Sequence, residues 1–161
     1  MPNSTQQRLG DDMRLLSFAY VQALVQEDEE ARRFLERDSR WMAKCVAGLA
    51  FFLMDLVVIP VENGVDWRDG WVEVDFKARS DPKFRANLFR RGRYRRLAMG
   101  ATVRPKRRLR RTARDCVDML YLAHLSKHGR DSEVPPPQAV LDMLAYFRER
   151  FIHLGGAARK S

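Results

Sequence analysis

Cysteine and histidine are scarce in this chain of 161 residues, and each scarcity removes a class of function. The two cysteines, Cys45 and Cys116, cannot build a disulfide framework. They suit a reducing compartment, so a cytoplasmic location is expected. Of the three histidines only His124 and His128 stand at i,i+4 spacing, and no third ligand accompanies them, so no metal is expected. The nine glycines and seven prolines follow no period, which excludes a collagen-like or mucin-like polymer.

Nucleotide-binding and hydrolase signatures are missing too: the sequence holds no GxxxxGK[ST], no GxGxxG and no GxSxG. The carboxylate pairs Asp11-Asp12, Asp66/Asp69 and Glu73/Asp75 have simpler roles in a helix cap, a turn and a strand face. No enzyme activity and no cofactor are expected.

The most informative absence is acid in the middle of the chain. Residues 1–76 carry 8 basic and 14 acidic side chains, a net of −6. Residues 77–114 carry 16 basic side chains and one acid, Asp81, a net of +15; residues 115–161 balance at six of each. A solvated helical face mixes both signs, so a stretch this one-sided points to a polyanionic partner. Thirteen of those 16 cations are arginine, whose planar guanidinium grips phosphate oxygens in pairs and stacks on bases. The candidate nucleic-acid-binding residues are Arg90, Arg91, Arg93, Tyr94, Arg95, Arg96, Arg104, Lys106, Arg107, Arg108, Arg110, Arg111 and Arg114. Phe84, Phe89 and Tyr94 interleave with the first of these, the mix that single strands favour. Phe84 and Leu88 are better read as core, whereas Phe89 and Tyr94 suit either role.

Apolar residues at helical spacing predict a mainly α, single-domain bundle of about five helices over residues 11–154, between a flexible start (1–10) and a flexible tail (155–161). Asp11 and Asp12 are placed to cap a first helix carrying Leu15, Leu16, Ala19, Ala23 and Leu24. The run Glu27–Glu30 fits the start of a second helix better than the end of the first. From Cys45 to Val61 the chain is the most apolar of all, but 17 residues with an Asp and a Pro fall short of a membrane span. A central buried helix is expected there and no membrane partner, with residues 45–59 the one stretch able to anchor to a bilayer.

Turn signals at Glu62-Asn63-Gly64 and Arg68-Asp69-Gly70, with period-two alternation in Trp71–Phe76, predict a short β-hairpin over about residues 65–76. Ser80-Asp81-Pro82 opens a helix to about Met99 that Gly100 ends. Thr102 and Pro105 open the longest helix, with Leu109, Ala113, Cys116, Val117, Leu120 and His124 on one face and Gly129 as its stop. The last helix buries Val140, Leu144, Phe147 and Phe151 and ends at Gly155-Gly156.

Two basic helices around a glycine turn also suit a helix-turn-helix, and a dimeric regulator is one alternative function. The second helix, however, offers arginine and, apart from Thr112, none of the Asn, Gln, Ser or Thr that discriminate bases, which favours a grip on the phosphate backbone. A second alternative is an interaction protein whose basic face docks on an acidic protein or an anionic membrane.

The leading expectation is a non-enzymatic DNA- or RNA-binding protein in a larger ribonucleoprotein or other nucleoprotein complex, joined to other subunits or to copies of itself. In size, helicity and charge the chain resembles the small subunits of multi-subunit CRISPR effector complexes, which are non-catalytic helical proteins. The likeness is one of architecture and carries over no residue.

Overall fold

The computed structural model describes residues 4–69, 82–100 and 103–159, with side chains placed over 12–68, 82–100 and 103–150. Its elements are helices: α1 (Ser4–Val25), α2 (Glu29–Leu35), α3 (Ser39–Leu53), α4 (Ile59–Glu62), α5 (Pro82–Met99), α6 (Pro105–His128) and α7 (Pro136–Arg159). No strand occurs among the described residues. The expected hairpin is therefore corrected on its first arm: Trp67 opens a tight 3-10 turn, Trp67–Asp69, and the second arm, Trp71–Phe76, lies outside the described residues.

Local chemistry explains most boundaries. Asp28 caps α2 by accepting from the Ala31 backbone N–H at 3.1 Å, so Glu29 and Glu30 fall in the first turn, where the helix dipole favours them. Asp38 caps α3 in the same way through the Trp41 N–H, also at 3.1 Å. Pro136 and Pro137 sit in the first turn of α7, where their missing N–H groups leave no bond unmade. Gly129, at φ +86°, ends α6.

Two ends differ from expectation. Helix α1 starts at Ser4, so Asp11 and Asp12 lie inside it rather than at its cap, and residues 4–10 are helical. Helix α7 runs through Gly155-Gly156 to Arg159, because glycine weakens a helix without ending it unless the chain turns left-handed there.

Helices α3 and α4 form one path, joined by a π-helical turn over Met54–Val58 in which the Ile59 N–H reaches back to the Met54 carbonyl. Pro60 lies just beyond. Its ring would crowd the carbonyl four residues earlier, and the wider turn accommodates it. The path ends where Asn63 folds its side-chain amide onto the Ile59 carbonyl at 2.7 Å and Gly64 takes φ +72°.

Helix α3 is the centre. It packs most extensively on α6, then on α5 and α1, while α7 closes over α6 and α1. Val46, Ala47, Ala50, Leu53, Met54 and Val57 are fully buried there with Tyr20, Val21, Leu109, Ala113, Cys116 and Leu120. Trp67 plugs one end: its indole N–H donates to the Ala123 carbonyl at 3.3 Å, and its ring meets Phe147 at 5.4 Å and Tyr146 at 5.9 Å. Truncating a side chain as enclosed as Leu120 would cost about 2–5 kcal/mol. The path Glu29–Glu62 is, by length and composition alone, long and apolar enough to cross a membrane, but 67% of its most apolar stretch is buried by the other helices.

Candidate functional site

Helices α5 and α6 both lie on α3, and a groove of about 370 Å³ opens between the last two turns of α5 and the first half of α6. Arg104, just before α6, and Arg107, Arg108, Arg111, Thr112 and Asp115 on it line one side, Arg93, Tyr94 and Leu97 on α5 the other, with Val103 at the turn. The α6 residues recur every three or four positions, so they form one stripe along the helix. The neighbouring face, with Leu109, Ala113 and Cys116, is buried and fixes the stripe's direction. Arg93, Arg104, Arg107, Arg108 and Arg111 have no carboxylate partner among the described residues.

The floor of the groove is polar and closed. Tyr94 is 1% exposed and donates its hydroxyl to Asp115 Oδ2 at 2.7 Å, which bridges α5 to α6. Burial, then the bond to Asp115, raises the pKa of this phenol, so it stays a neutral donor. Tyr94 was a candidate for stacking on bases; its burial overturns that role and makes it a strut. Arg90 is half-buried and reaches the same hydroxyl at 3.4 Å.

Two more candidates are occupied within the protein. Arg91 donates to both oxygens of Asp55, the second at 3.0 Å, and its guanidinium lies 4.3 Å from the centre of the Phe51 ring. Arg110 holds both oxygens of Glu36 at 3.2 Å. Glu36 is buried and also accepts from the Tyr20 hydroxyl at 2.8 Å, with Arg32 at 3.9 Å. Burial pushes the Glu36 carboxyl up. The bonds from Arg110 and Tyr20 and the charges of Arg110 and Arg32 outweigh it and hold the pKa below the ordinary value. These two arginines fasten elements together: Arg91 ties α5 to the π turn, and Arg110 ties α6 to Glu36, in the 3-10 turn after α2, which also holds Tyr20 of α1.

Arg95, Arg96, Lys106 and Arg114 are exposed, and Arg96 lies 5.9 Å from the centre of the Phe89 ring. Phe89 is 67% exposed, whereas Phe84 is buried. Thus Arg93, Arg104, Arg107, Arg108 and Arg111 come together in the groove, Arg95, Arg96, Lys106 and Arg114 lie on open surface, and Arg90, Arg91 and Arg110 are engaged inside the protein.

The other chemistry-bearing residues have structural places. His124 is buried, with Nε2 2.8 Å from the Ser132 hydroxyl, and no group of three or more metal-ligating side chains occurs among the described residues. Cys45 and Cys116 are buried thiols; burial raises both pKa values, that of Cys45 to about 11, so neither is a ready nucleophile. No protein-family model matches the sequence, and no curated protein or solved structure is detectably similar to it.

Sequence reasoning missed Leu97, Val103 and Asp115 as lining residues. Asp115 could have been found, since it continues the spacing of Arg104, Arg108 and Arg111 by one turn. Val103 carries no such signal.

Proposed function

We propose that the protein is a non-enzymatic nucleic-acid-binding protein that grips the phosphate backbone through the α5–α6 groove, as a structural subunit of a larger nucleoprotein assembly. The observation that carries this reading is the convergence of five arginines without carboxylate partners on one concave face. Two arginines of the same segment, Arg91 and Arg110, are instead neutralised by Asp55 and Glu36. Five guanidinium groups left together in a groove suit a ligand that brings its own negative charge. The stripe offers arginines, one buried threonine and Asp115, whose carboxylate already accepts from Tyr94, a set that favours phosphate over base edges. Buried, unreactive thiols support a reducing compartment.

The test is fluorescence anisotropy with labelled DNA and RNA of random sequence, titrated over salt. With one phosphate on each of the five groove arginines the slope of log K against log salt is expected at about −3.5 to −4.5. The variant Arg107→Ala/Arg108→Ala/Arg111→Ala is expected to abolish binding while keeping its fold, because none of the three forms an ion pair among the described residues and the bond lost from Arg108 Nε to the Val103 carbonyl, 3.2 Å, is exposed. A slope near zero, or full binding by the triple variant, would defeat the reading. A preference of about 10³ or more for one duplex site would instead mark a sequence-specific regulator.

A further inference from the structure

Large apolar side chains exposed on this protein are Phe34, Phe52, Phe89, Met99 and Val103 among the described residues. Three of the five lie in the segment that builds the arginine groove, the most cationic part of the chain. Phe89 precedes Arg93 by four residues and Arg96 by seven, so the three share one face of α5, and Arg93 lines the groove. Val103, 73% exposed, lines the groove itself.

An open phenylalanine ring adds nothing to the core and works against solubility. A duplex gives it a partner only where base steps are forced apart, at a cost of a few kcal/mol each, because its base faces are covered by stacking inside the helix. Unpaired bases do give it one: each presents a π face, and aromatic platforms beside a cationic track are how single strands are held. We infer that this face takes a single-stranded polynucleotide, with phosphates on Arg93, Arg107, Arg108 and Arg111 and a base stacked on Phe89. The inference rests on the nucleic-acid reading above and adds the type of strand. Arg96, already beside the ring, is within reach to cover a stacked base from its other side.

Anisotropy on the full chain with three labelled ligands of equal length tests it: oligothymidine, the same strand paired with oligoadenine, and an abasic strand that keeps the phosphates and lacks the bases. Oligouridine in place of oligothymidine reads the sugar preference. Wild type is expected to bind the base-bearing single strand about tenfold or more tightly than either other ligand. Phe89→Ala should lose roughly fivefold to 150-fold on oligothymidine and almost nothing on the abasic strand. Phe89→Trp should restore the preference, and an unchanged circular dichroism melt shows that the fold is intact. Equal affinity for the base-bearing and abasic strands, or indifference to Phe89→Ala, overturns the single-strand inference and leaves the backbone-binding reading standing. No binding to any of the ligands at low salt overturns both.

Discussion

Arg104 stands at φ +55°, ψ +62°, in the left-handed region, immediately before the first turn of α6, and its side chain makes no capping bond. For a residue with a Cβ that conformation costs about 1–2 kcal/mol, part of which glycine would relieve before its own larger unfolded-state entropy is counted. The same side chain lines the groove. Arg104→Gly is therefore expected to leave stability unchanged or raise it by up to about 1 kcal/mol, while weakening nucleic-acid binding. Urea unfolding and anisotropy on one preparation check both directions. Glu36 is a second residue with a definite signature. Its folded-state pKa lies below the ordinary carboxylate value of 4.5, so the stability it contributes is complete above that pH and is lost as pH falls through the folded-state pKa. Glu36→Gln should lose about 1–3 kcal/mol at neutral pH, since hydrogen bonds to a charged, buried partner are the strong ones. Its unfolding free energy should also fall less steeply between pH 5 and 3 than that of wild type, which a series of urea titrations would show.

Among the elements α5 is the least favourable by composition: it crowds cations and carries Gly92 in its middle. A Cβ at Gly92 meets nothing within 4 Å, so Gly92→Ala should add about 0.5–1 kcal/mol by urea unfolding and leave the salt slope of binding unchanged. Gly100 is the opposite case. A Cβ there would stand 2.9 Å from the Arg96 carbonyl oxygen, which already accepts from the Gly100 N–H at 2.8 Å. This closing turn of α5 leads the chain toward Val103 and the groove. The helices were legible in the sequence because their signals are local. Asp28 before Glu29, Pro82 and Pro105 at the first turns, and Gly129 at a stop act within a few residues. The apolar stripe of α6, Leu109 to His124, was legible for the same reason, and all of it except half-buried Val117 is buried. The hairpin misled because Val65–Trp67 carries a strand's residue types, yet a buried indole satisfied by Ala123 from α6 outweighs strand propensity. Which arginines face outward was not legible at all. Arg91 and Arg110 look like their neighbours in the sequence, and only partners 36 and 74 residues away set them apart. Tyr94 and Phe89 were likewise alike on paper until the packing of α5 on α3 buried one and exposed the other.

At the scale of the whole molecule, the excess of +9 conceals an internal division between an acidic first half and the cationic stretch that follows it. The two are fastened at Glu36, which receives Tyr20 from α1 and Arg110 from α6, and at Asp55, which receives Arg91 from α5. Helix α1 also packs against α3, α6 and α7, so the first 40 residues reach three of the long helices. The groove consequently depends on helices distant from it in the sequence. A piece beginning after Asp38 would keep every groove arginine, but it would uncover α3 and leave Arg110 without its counterion. The shortest part of this chain able to present the groove in its native shape still includes the acidic helices that never touch it.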